Sequence, residues 1–230
     1  MAANLNGYMK NKRKETNKMK ITFTPMNAVV LNGKVTELTE EQVKSIMDGL
    51  SGAVKKGNRR LSCIKAGNTF KIGEHEFIVL EQSGDTTAVL SKDLIGEDAV
   101  FGDTPDFAKS NIKKELDKFA AEISGIIGSD ALVVHTVDQT TLDGMSHYGV
   151  TKAKMSLMTI DHVRKYADVL DKHKLVKYYW LVTPWSTPDR GYKTSMCLVA
   201  PSGFVFHYFS YCRSCGVRPF CILKSDIFVS

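Results

Sequence analysis

Short runs of alternating apolar and polar residues, punctuated by glycine and proline, fill the second half of the chain. Tyr178 to Val182 is rich in aromatic and branched residues and predicts a strand. Pro184 cannot donate to a ladder, so that strand is expected to stop there or lie at an edge. Trp185 then sits on a stiff turn between Pro184 and Pro188. Further strands are predicted over Ser195–Ala200, Phe204–Tyr211 and Val217–Phe228, with Pro201-Ser202-Gly203 turning the first into the second. Upstream, Thr69–Ile72, Glu76–Leu80, Thr87–Leu90 and Leu132–Val137 read the same way. Two segments switch to a spacing of three and four. Ile112, Leu116, Phe119, Ile123 and Ile127 predict one buried helical face over Ser110–Ile127. Val163, Tyr166, Ala167 and Leu170 predict a second helix, with Thr159 as its N-cap.

Closer to the N-terminus, Ala28–Leu31, Asn32-Gly33 and Val35 predict a hairpin, because Asn-Gly supplies the positive φ of a tight turn. Thr39-Glu40-Glu41-Gln42 is a capping box that opens a helix through Val43, Ile46, Met47 and Leu50, with Gly49 and Gly52 at its close. The boundaries follow: a basic arm at 1–25, a small hairpin-plus-helix and basic linker at 26–60, and a main body at 61–230. Strands, then two helices, then antiparallel strands make the class α+β.

Charge changes this picture at one end only. The net charge is +6. Residues 1–60 carry twelve Lys and Arg against five acids, whereas residues 61–230 carry nineteen against twenty. Nucleic acid is therefore expected as a partner only through the basic arm. No apolar run approaches the ~20 residues of a membrane span. The N-terminus lacks the apolar segment of a signal peptide. No membrane partner is expected, and the location expected is a bacterial cytoplasm or a virion. Oligomerisation is left open. Five cysteines at irregular spacing (Cys63, Cys197, Cys212, Cys215, Cys221) indicate reduced thiols.

Catalytic signatures are sparse. Neither phosphate-binding glycine spacing occurs, and the six histidines are scattered. Cys212 and Cys215 form an isolated Cys-x-x-Cys; a structural zinc needs four ligands, and His207 and Cys221 are the only others nearby. No metal, calcium or cofactor is assigned. Arg218 is held extended by Pro219, and Gly216 suits a backbone other residues resist. Arg218 is expected to clamp the body by stacking on Trp180 or Trp185. Strand alternation puts Phe204, Phe206 and Tyr208 on one face and His207, Phe209 and Tyr211 on the other. One of these faces is expected in the core. The other is either covered as well or forms a recognition surface, with Trp185, Arg190, Tyr192, His207, Tyr211 and Arg213 as the ligand-binding residues.

The phrases Leu157-Met158-Thr159, Trp180-Leu181-Val182-Thr183-Pro184-Trp185 and Gly216-Val217-Arg218-Pro219-Phe220 together resemble an uncharacterised domain family of bacterial genomes, prophages and mobile elements. That family looks like a distant relative of the C-type-lectin fold in its sulfatase-modifying, formylglycine-generating version. The resemblance spans roughly 61–230 and implies a C-type-lectin-like fold with late strands and loops as the ligand surface. It implies a non-catalytic binding, adhesion or structural module, carried by a phage, prophage or mobile element, that recognises a protein or surface ligand through 185–195 and 204–215. One alternative is a thiol oxidase of the formylglycine-generating kind using Cys212 and Cys215. Another is an inhibitor of a host defence protein encoded by a mobile element.

Overall fold

The computed structural model describes residues 28–31, 34–37, 39, 41–42, 44 and 59–230. The chain divides into two compact units, Met1–Lys56 and Gly57–Ser230. In the first, β1 (Ala28–Leu31) and β2 (Lys34–Glu37) pair antiparallel, with Leu31 opposite Lys34. The Gln42 amide donates to Thr39 Oγ1 and the Thr39 amide to Gln42 Oε1, at 3.3 and 3.0 Å. These are the reciprocal bonds of a capping box. The basic arm at 1–25, the Asn32-Gly33 turn, the apolar positions Val43 to Leu50 and the linker up to Asn58 lie outside the described residues.

The second unit opens with β3 (Arg59–Arg60), β4 (Thr69–Ile72), β5 (His75–Ser83), β6 (Thr86–Ser91) and β7 (Ile95–Ala99). Helix α1 (Asn111–Ile127) follows; the Ser110 hydroxyl caps it by accepting from the Lys113 amide, and Gly128 ends it with a φ of 94°. Next come β8 (Leu132–Val133), β9 (His135–Asp138), β10 (Val150–Ala153) and β11 (Met155–Ser156). Two short helices, α2 (Ile160–Lys165) and α3 (Ala167–Lys172), precede β12 (Tyr179–Pro184), β13 (Ser195–Val199), β14 (Val205–Phe209), β15 (Cys215–Val217), β16 (Phe220–Lys224) and β17 (Phe228–Val229).

Two sheets carry the body. One runs β11-β16-β6-β5-β4, with β8 also on β16; the other runs β14-β13-β12-β15-β7, antiparallel except for β12 and β15. The chain passes between them four times: from β6 to β7, from β7 through α1 to β8, from β11 through α2 and α3 to β12, and from β15 to β16. Alternate residues of the central strand β12 enter two different cores. Trp180 and Val182 join Ile112, Leu116, Phe119 and Ile123 of α1. Tyr179 and Leu181 join Ile160, Tyr166 and Leu170 around α2 and α3. Helices on opposite faces thus leave β12 buried along its whole length.

The main body is α+β with mostly antiparallel strands, but several boundaries differ from the sequence reading. The strand predicted over Leu132–Val137 changes partner at Val134, so β8 pairs with β16 and β9 with β10. The strand predicted from Val217 to Phe228 breaks at Arg218-Pro219, where the chain leaves one sheet for the other, and again before β17. The second helix is interrupted at Tyr166, whose φ of −107° and ψ of 22° fall outside the helical range. Thr159 does cap it: its hydroxyl accepts from the His162 amide, while the Thr159 amide donates to His162 Nδ1. Strands β7, β10 and β11 carry no apolar alternation that would have announced them.

Candidate functional site: the aromatic edge of the five-stranded sheet

The Arg218 junction fixes the frame on which the site stands. Its side chain is 1% exposed, donating from Nε to Ser91 O and from Nη2 to Lys92 O and His173 O at 3.0–3.1 Å. Burial pushes the guanidinium below its usual range, yet such a group stays charged. The ring it lies over, at 5.3 Å, is that of Tyr179, not either indole. The reason is alternation: Trp180 points into the α1 core, where its Nε1 donates to Ala99 O at 2.9 Å. Gly216 is not in the left-handed region. Its missing Cβ instead makes room for the methyl groups of Leu94.

Beyond β13 the cores thin to Val205 and Trp185, both half-buried. Strand β14 pairs only with β13 among the described residues, from Val199 opposite Val205 to Ser195 opposite Phe209. The expectation that one of its faces is core does not hold. Phe204, Phe206, Tyr208, Phe209 and Tyr211 are all exposed, by 41–66%. Only Val205 of this strand, half-buried, packs against the core around α2 and α3.

On the face shared with Cys197, Trp185 stacks on His207 with ring centroids 4.2 Å apart, and Tyr192 meets His207 edge-on at 6.4 Å. Tyr211 stacks on Phe209, 5.2 Å between centroids and 8° between planes. The loop that presents Trp185 is anchored at Asp143, which accepts from Thr141 Oγ1, from Ser186 Oγ at 2.7 Å and from Arg190. These donors, Thr141 first, hold the Asp143 carboxyl down at about 2. The Leu142 amide also donates to Pro184 O and the Trp185 amide to Ser195 O, both at 2.9 Å.

On the opposite face, Tyr178, Leu198, Phe204, Phe206, Tyr208 and Cys215 line an apolar groove of about 500 Å³. Of the six residues predicted to bind a ligand, Trp185, Tyr192 and His207 are in one stack, and Tyr211 stacks on Phe209 from the turn just past the strand. Arg190 is committed to Asp143. Arg213 lines a separate cleft with Glu97, Asp98, Glu115 and Glu122. Asp143 and the Tyr178 groove escaped the sequence reading. For the groove a signal was there: no Lys, Arg, Asp or Glu occurs between Lys193 and Arg213.

The thiols offer little chemistry. Cys215 is buried and desolvation pushes it up to about 11; Cys197 and Cys221 are pushed up to about 12. Among the described residues no three His, Cys, Asp or Glu side chains are placed to hold a metal ion, and no helix is long and apolar enough to cross a membrane. Neither a family model, a curated protein nor a solved structure matches the chain.

Proposed function

We propose that residues 61–230 form a non-catalytic binding module of C-type-lectin-like type, encoded by a phage, prophage or mobile element, which holds a protein or surface ligand by its aromatic edge. The observation that carries this reading is the preordered stack of Trp185, His207 and Tyr192 beside Tyr211 and Phe209. Rigid aromatics that lose little entropy on binding are the residues from which recognition patches are built. Trp185 packs its inner side against the core around α2 and α3, while Tyr192, Phe209 and Tyr211 are exposed. Late strands and the loop before them supply the patch, as in the family that the sequence resembles. The thiol-oxidase alternative draws less support, because a buried thiol pushed up to about 11 is a poor source of thiolate at Cys215.

The test is capture of a host or virion protein on the immobilised full chain, repeated with Trp185→Ala and Tyr211→Ala. Both variants should lose the captured protein while melting within a few degrees of wild type. Equal capture by wild type and both variants would remove the patch from the account. Capture from host lysate against capture from virions separates the defence-inhibitor and virion-component versions.

A further inference from the structure

We propose that β14 pairs antiparallel with β14 of a second copy of this chain, joining two five-stranded sheets across a two-fold axis at His207. The first observation is the direction of the backbone groups of β14 that have no partner among the described residues. The Ala200 amide bonds Phe204 O and the Ser210 amide bonds Thr194 O, at 2.9 and 2.6 Å. Even-numbered residues of the strand therefore face β13, and the N–H and C=O groups of Val205, His207 and Phe209 point to the open edge. Phe209 O takes a turn bond from the Cys212 amide at 3.0 Å and keeps a second lone pair.

The second observation is that this edge lacks the usual protection. Exposed edges are normally blunted by Lys, Pro, bulges or inward charges. Here the strand has no proline, its register with β13 runs without a bulge, and the nineteen residues from 194 to 212 carry no charged side chain.

The third is self-complementarity. With the axis at His207, Val205 of one copy faces Phe209 of the other, and the edge can form up to six backbone hydrogen bonds. Phe206 then faces Tyr208 of the other copy, twice, at the closely spaced positions where aromatic pairs interact best. The axis sets Phe206 against Tyr208 on one face and His207 against His207 and Val205 against Phe209 on the other, and opposes no Lys, Arg, Asp or Glu to another. At about 200 Å² per aromatic side chain, Phe204, Phe206, Tyr208 and Phe209 offer on the order of 400 Å² of exposed surface per copy. That is about half of the roughly 800 Å² per partner of a stable interface, and the paired backbone adds to it.

The experiment is sedimentation of the full chain across a concentration series, with His207→Pro and Phe206→Lys. His207→Pro removes an outward donor and leaves the ladder to β13 intact, as proline on an open edge can. Wild type should be a dimer, and His207→Pro should raise its dissociation constant at least about 50-fold with an unchanged far-ultraviolet spectrum. Should that variant fold poorly, Phe206→Lys reports the same loss, because its charge would be buried against Tyr208 of the other copy. The register is read separately: mixed Phe206→Cys and Tyr208→Cys chains should cross-link to each other, above the level of either alone or of wild type. A monomeric wild type overturns the proposal, including one that takes up an extended apolar peptide on this edge. A dimer whose affinity neither variant alters, or a dimer without the 206-to-208 cross-link, overturns it too.

Discussion

Strands β12 and β14 belong to one sheet, separated by β13 alone, and both are rich in aromatic and branched residues. Every side chain of β12 is buried, whereas the aromatic side chains of β14 are exposed. Composition does not distinguish them; position in the sheet does. A central strand has helices on both faces and a neighbour on each edge, so its aromatics become core by default. The last strand has one neighbour among the described residues and packs only Val205 against a core, so the same residue types become surface. Aromatic residues left outside in this way are available for recognition, and they raise the question of what covers them.

Substitutions at the two tryptophans should divide along this line. Trp180→Ala empties a fully buried site and orphans Ala99 O, and a loss of about 4 kcal/mol in urea unfolding is expected. Trp185→Ala, half-buried beside the edge, should lose under about 1 kcal/mol in the same measurement. Comparable losses at both would dissolve the distinction between centre and edge.

The junction between the sheets comes next. Arg218→Leu leaves three carbonyls without their donor and should lose about 3 kcal/mol. Gly216→Ala places a methyl group against Leu94, and about 1–2 kcal/mol of overpacking strain should appear as a lowered melting temperature. Leu94→Ala in the same chain should restore part of that.

Acid should act through two buried histidines of the body. His135 and His162 flank Phe220, edge-on at 5.6 Å and stacked at 4.5 Å, and burial lowers both below the usual imidazole range. Their folded pKa values lie below the unfolded ones, so the unfolded chain takes up protons first as pH falls below about 6.5. Stability is therefore greatest above that pH and declines below it. Protonating His162 also removes the acceptor that Nδ1 offers the Thr159 amide. Unfolding midpoints measured from pH 7.5 to 5 should fall in wild type and fall less in His135→Gln. The smallest effect is expected at Asp143. Its carboxyl is held down at about 2, so its contribution is full above about pH 4 and lost as pH falls through about 2. Asp143→Asn should flatten that part of the stability curve while loosening the Trp185 loop.

Much of the local structure was readable in advance, for reasons confined to a few neighbouring residues. Ser110 and Thr159 cap their helices because a hydroxyl there reaches an amide three residues on. The turn between β13 and β14 forms because Gly203 takes a φ of 87° behind Pro201. The site was readable only in part. Trp185, Tyr192 and His207 could be proposed together from residue type, but Arg190's commitment to Asp143 depends on a loop 47 residues away. Likewise Arg218 finds Ser91 and His173 across separations of 127 and 45 residues.

By itself the sequence determined where helices start, where hairpins turn and which residues alternate, because these depend on φ/ψ preferences and side-chain reach within a few positions. Strand order was decided by the tertiary structure: β12 in the middle, β14 at the end, and the chain crossing between sheets at Arg218. Alternation says that a strand has two sides. Whether helix, strand or solvent lies against each side is a property of distant segments, and it is what turned one aromatic strand into core and the other into surface.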